Sequence, residues 1–140
     1  MTRKGPTKPI DEKFGEGRLT LARAYLKSAR EAAELAESGD VGNPIVSQII
    51  SAAIGFADAL TIRFGTRINR QDHAAAVKTL RDALGKRLPT AQENHLRRIL
   101  SEKDTAQYGV KVIKKKDAEK LLQRLEEFAN WAEAELRRPS

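Results

Sequence analysis

Apolar positions recur along this chain at intervals of three and four, the spacing of one helical face, and alternate only briefly, at Val110-Lys111-Val112-Ile113. Four residues are too few to predict a sheet. The first helix is expected from about Arg18, with Ala22, Tyr25, Leu26, Ala29, Ala32, Ala33 and Ala36 on its core side. Ser38-Gly39-Asp40 is expected to end it, with Gly39 supplying a left-handed cap. Asn43-Pro44 reads as the capped start of a second helix running to Phe64. Ile45, Ile49, Ala52, Ala53, Phe56 and Leu60 form its stripe, and Val46, Ile50, Ile54 and Ala57 widen that stripe to most of the circumference. A helix apolar nearly all round belongs at the centre.

Gly65 closes the second helix, and Asn69 with Asp72 predicts the capped start of a third, carrying Val77, Leu80 and Leu84 and ending at Gly85. Leu88-Pro89-Thr90 opens a fourth with Leu96, Ile99 and Leu100, whose last turns at Lys103 to Gln107 are polar. Asp117 is placed as the cap of a fifth, with Ala118, Leu121, Leu122, Leu125, Phe128, Ala129, Ala132 and Leu136 on one stripe. Short loops between such elements predict an all-α protein, an antiparallel bundle of four to five helices. Residues 1–16 lack periodicity and carry prolines, glycines and basic residues, so they are expected to be a flexible arm before one domain over 17–138.

Composition narrows the function classes. The 140 residues include no cysteine and two histidines, so thiolate chemistry is excluded and neither a metal site nor a cofactor is expected. Met1-Thr2-Arg3-Lys4-Gly5-Pro6 does not lead into an apolar signal segment, and the cytoplasm is the expected location. Ser47, Gln48, Ser51, Asp58, Thr61 and Arg63 interrupt the second helix, which favours a core helix over a membrane span. The net charge of +7 is uneven: residues 63–116 hold 14 Lys and Arg against 5 Asp and Glu, and the rest 12 against 14. A basic middle suits an anionic partner, nucleic acid above all; a solvated basic surface is the alternative.

Three polar residues stand out where the apolar pattern should exclude them or where spacing lets them converge. Asp58 is the one acidic residue of the second helix, and either a salt bridge or exposure would account for it. His73, in the first turn of the third helix, would be kept neutral by the positive helix end, the form a general base needs. Arg67, in the connection, can meet His73 on one phosphate with its planar donor fork, with Arg63 and Arg70 nearby.

Ala52-Ala53-Ile54-Gly55-Phe56-Ala57-Asp58-Ala59-Leu60, Gly65-Thr66-Arg67, then Asp72-His73-Ala74-Ala75-Ala76 and Leu80 resemble the core of HEPN domains. The nearest group is the small actinobacterial type with Ala-Asp-Ala on the second helix and Asp-His opening the third. The resemblance runs over about residues 18–136, and its specific part is the middle third. It implies a bundle, frequently a homodimer, that binds RNA or a nucleotide. Active bacterial members are metal-independent ribonucleases of toxin or defence systems, some with an antitoxin or other partner protein. Their motif is an arginine, four to six residues, then a histidine; Arg67 and His73 have five between them. On this reading Arg67, His73 and Asp58 are the catalytic set, Arg63, Arg70 and Lys78 contact nucleic acid, and a dimer supplies a second His73. The alternative is a non-catalytic interaction or nucleotide-binding module in which the Asp/Arg/His cluster is structural.

Overall fold

The computed structural model describes residues 12–65 and 75–139. Among these the chain is helical: α1 Glu12–Leu35, α2 Asn43–Phe64, α3 Ala76–Leu84, a 3-10 turn Gly85–Arg87, α4 Thr90–Leu100, α5 Lys103–Gln107 and α6 Lys115–Leu136. Helices α1, α2, α4 and α6 form the bundle, up, down, up and down, as the ion pairs between them show. Arg23 and Arg30 on α1 meet Glu133 and Glu126 on α6 at 2.7 and 2.8 Å, an antiparallel match. At the start of α2, Gly42 N–H donates to the Ile113 carbonyl at 2.6 Å, while near its end the Arg63 guanidinium donates to the Arg138 carbonyl at 2.9 Å. Helices α2 and α6 therefore run parallel and in direct contact.

The near-continuous apolar surface of α2 makes it central, in contact with α1, α3, α4, α5 and α6. Ile49, Ile50, Phe56 and Leu60 from α2 are fully buried with Leu80, Leu96, Ile99, Leu125 and Phe128. By length and composition α2 could cross a membrane, but 72% of its most apolar window is buried within the bundle. Gly55 allows α1 to approach closely, because a Cβ there would lie 2.8 Å from the Cβ of Ala22. Gly85 ends α3 at φ 55, a conformation that a side chain would strain.

Several boundaries differ from those read in the sequence. α1 begins at Glu12, so residues 12–16 are helical rather than part of an arm; residues 1–11 lie outside the described residues. Gly15 falls in the segment expected to be an arm, but it packs against Ile62, and this tertiary contact outweighs the propensity cost. Gly39 is not left-handed; Asp40 stops α1 instead, its carboxylate accepting the Glu37 N–H at 2.8 Å. Asn43 is the first residue of α2 rather than its cap. Its side-chain oxygen accepts the Ile113 N–H at 2.8 Å and its amide donates to the Lys111 carbonyl at 3.1 Å. Residues 103–107 form a separate short helix, and α6 starts at Lys115, with Asp117 inside its first turn rather than capping it. Tyr25, expected on the core side of α1, is 40% exposed.

Candidate functional site

The end of the bundle where α2 and α6 finish is built around Phe64. Two guanidiniums lie over its ring, the Arg63 Cζ 4.7 Å and the Arg87 Cζ 4.5 Å from its centroid. Such contacts hold arginines over an aromatic face and limit their conformations. The 3-10 turn delivers Arg87, whose Nη1 meets Glu135 Oε2 at 2.8 Å while its Nη2 donates to the Pro139 carbonyl at 2.8 Å. Arg138 reaches the other oxygen of Glu135 at 3.2 Å. Glu135 is only 3% exposed, so two arginines neutralise a buried carboxylate that would otherwise carry a large desolvation cost. Lys86 and Arg137 lie beside this cluster in sequence, exposed and without an ion pair among the described residues.

The C-terminal ends of α2 and α6 point to this same side. Their partial negative charge supports the guanidiniums and opposes a bound anion. Any phosphate held here depends on arginine and lysine side chains rather than on helix ends.

Of the residues singled out in the sequence, Arg67, Arg70 and His73 lie outside the described residues. The connection that carries them leaves α2 at Gly65, beside Phe64, and the described chain resumes at Ala75. Asp58 sits two turns above that end, part-buried, with its Oδ2 3.1 Å from the Arg18 Nε of α1. Arg63 belongs to the Phe64 cluster. Lys78 is exposed on α3 and pairs with Asp82 at 3.0 Å, away from Phe64 in its contacts. The structure thus brings Arg63 into a basic cluster, engages Asp58 with Arg18, and leaves Lys78 in an ordinary helix-surface pair.

Sequence reasoning missed Arg87, Glu135 and His95. Glu135 follows Ala132 by three residues on the apolar side of α6, and an acidic residue on that stripe was the available signal. His95 on α4 has its Nδ1 3.3 Å from Arg124 Nη1 and its Nε2 3.2 Å from Glu127 Oε1. A guanidinium can only donate, so Nδ1 accepts and Nε2 carries the proton toward the carboxylate. Two further ion pairs are strong enough to shift titration. Hydrogen bonding by Arg81, at 2.6 Å, holds Glu93 below the usual carboxylate range, and hydrogen bonding by Arg23 does the same for Glu133.

No family model matches the chain, and no curated protein matches it.

Proposed function

We propose that this chain is a HEPN-like helical domain that binds RNA through the basic end of its bundle. The observation that supports this reading is the Phe64 cluster. It holds Arg63 and Arg87 in place at the point where the connection bearing Arg67, Arg70 and His73 leaves α2. Guanidiniums held over an aromatic ring suit phosphate and base faces, and Lys86 and Arg137 add positive charge, that of Arg137 shared with Glu133. In the cleavage chemistry that the HEPN resemblance implies, a ribose 2′-hydroxyl attacks the adjacent phosphate. His73 would move the proton and Arg67 would stabilise charge on the phosphate oxygens. Asp58, paired with Arg18, would serve as a strut between α1 and α2.

The test has a binding arm and a cleavage arm. Fluorescence anisotropy with single-stranded RNA should show binding that weakens steeply with salt. Lys86→Ala and Arg137→Ala should each reduce the salt slope by about one. No binding at low salt removes the proposal. Cleavage that persists in EDTA and disappears in Arg67→Ala and in His73→Ala would add the chemistry; cleavage surviving His73→Ala would remove that pair from it.

A second reading, a non-catalytic interaction module, is favoured by a different feature, the exposed Leu21, Tyr25 and Leu35 of α1.

A further inference from the structure

We propose that the end of the bundle opposite Phe64 docks on an anionic phospholipid bilayer, with Val110 and Val112 entering the headgroup region between Lys111, Lys114 and Lys116. The inference does not depend on RNA binding.

At this end α1 and α4 finish and α2 and α6 begin. It gathers five of the seven large apolar side chains that are exposed among the described residues: Leu35, Val41, Tyr108, Val110 and Val112. Val110 is 100% and Val112 61% exposed. Their exposure follows from how the segment is held. Ile113 enters the core, with its N–H donating to the Asn43 side chain and its carbonyl accepting the Gly42 N–H, while the Asn43 amide holds the Lys111 carbonyl. Bonding at Lys111 and Ile113 along one edge is the pattern of extended backbone, in which alternate side chains face opposite ways. Burying Ile113 therefore turns Val112 outward. The preceding loop is fixed to the same platform: Val41 forms an isolated antiparallel bridge with Lys114, and a Cβ at Gly42 would come within 3.0 Å of Ala118, Ile113 and Lys114. Tyr108 is held by Lys103, whose Nζ lies 5.0 Å from its ring centroid.

The charge set among these apolar groups decides the occupant. Residues 105–116 carry four lysines and no acidic residue, and Lys111, Lys114 and Lys116 are exposed. Lys115 is partly offset, its Nζ 3.6 Å from Glu119 Oε2, and Asp104 and Asp117 flank the run in sequence. Asp40, beside Val41, has its carboxylate on the Glu37 N–H. Aliphatic side chains interleaved with cations match a bilayer surface, where anionic phosphates lie over an apolar acyl boundary. The cations are lysines, whose flexible stems let the ammonium groups stay at headgroup level while the valines go deeper. A second copy would set lysines against lysines, and an RNA strand would meet the charge but leave Val110 and Val112 in water. Docked in this way, the protein presents Phe64 and its arginines at the far end of the 22-residue α2, ~30 Å from the membrane.

Co-sedimentation of the full chain with vesicles tests this. It should pellet with vesicles of equimolar phosphatidylcholine and phosphatidylserine, not with phosphatidylcholine alone, and added salt should release it. Lys111→Ala, Lys114→Ala and Lys116→Ala should each weaken partitioning about fivefold. Val110→Ser should weaken it by about the same factor at unchanged charge, and because Val110 is fully exposed the variant keeps the fold. The chain has no cysteine, so a solvent-sensitive dye on Val110→Cys reports a single position. Its emission should shift to the blue on anionic vesicles, whereas the same dye on Ser28→Cys, midway along α1 and exposed, should not respond. Failure to pellet with phosphatidylserine vesicles overturns the proposal. So does pelleting that survives Val110→Ser and the lysine variants with the Val110→Cys dye unshifted, which would put the contact elsewhere. Loss of single-stranded RNA binding in the lysine variants, without vesicle binding by the wild type, would assign the surface to nucleic acid instead.

Discussion

Glu135 carries its carboxylate into the base of the bundle, where Arg87 and Arg138 pair with it. Removing a partner from a buried ion pair leaves an uncompensated charge, so Arg87→Ala should lower unfolding free energy by about 3 kcal/mol in urea titrations. Arg138, far more exposed, should cost much less. The pair between Arg18 and Asp58 is intermediate, with side chains 26% and 23% exposed. Asp58→Ala should cost about 1 to 2 kcal/mol, less than a fully buried carboxylate would demand. Glu93 and Glu133 set the pH response. Their folded carboxyls are held below the ordinary value of 4.5 by Arg81 and Arg23, so their contribution is complete above that value. It is lost as pH falls through the folded values. The melting temperature should therefore drop as pH falls below 4.5, and Arg81→Ala should flatten that drop. A wild-type curve that is level across this window would show these pairs to be without weight.

Contact between α1 and α2 rests on Gly55, where an added methyl group would press on Ala22 at 2.8 Å. Gly55→Ala should destabilise by about 1 to 2 kcal/mol, despite the better helix propensity of alanine. Ala22→Gly in the same chain should recover part of that loss; if it recovers none, the two helices do not meet there. Helix α2 could be read directly from the sequence because apolar residues on every side leave one physical solution, burial at the centre. The stripes of α4 and α6 were equally plain. The ends of helices were not, because caps depend on what lies across space. Asn43 forgoes capping α2 because the backbone at Lys111 and Ile113 needs its amide, and no local pattern announces a partner about seventy residues away. Tyr25 was placed in the core because its spacing fits either of two neighbouring stripes, and α1 uses the alanine-rich one for packing. Of the candidate site, Asp58 was legible as a carboxylate needing a cation, but its partner Arg18 comes from another helix. The Phe64 cluster was not legible, since Arg63, Arg87 and Glu135 come from three separate segments.

At the scale of the whole molecule, the parallel pair α2 and α6 is fastened at both ends. Asn43 and Gly42 hold Ile113 at one end, and Arg63 holds Arg138 at the other. Asn43→Ala removes two of these bonds and exposes the carbonyl and N–H of a segment already near solvent. It should cost about 1 to 2 kcal/mol and speed hydrogen exchange at Ile113. Unchanged exchange there would mean that the segment is held by Gly42 alone. The two fastenings span 70 and 75 residues of chain. Closing a loop of about that length costs about 4 kcal/mol of chain entropy, but the second closure is nearly free once the first has formed. The helices should therefore dock and undock as a unit, slowly for an all-helical protein, with reporters at opposite ends of α6 giving the same rate constant.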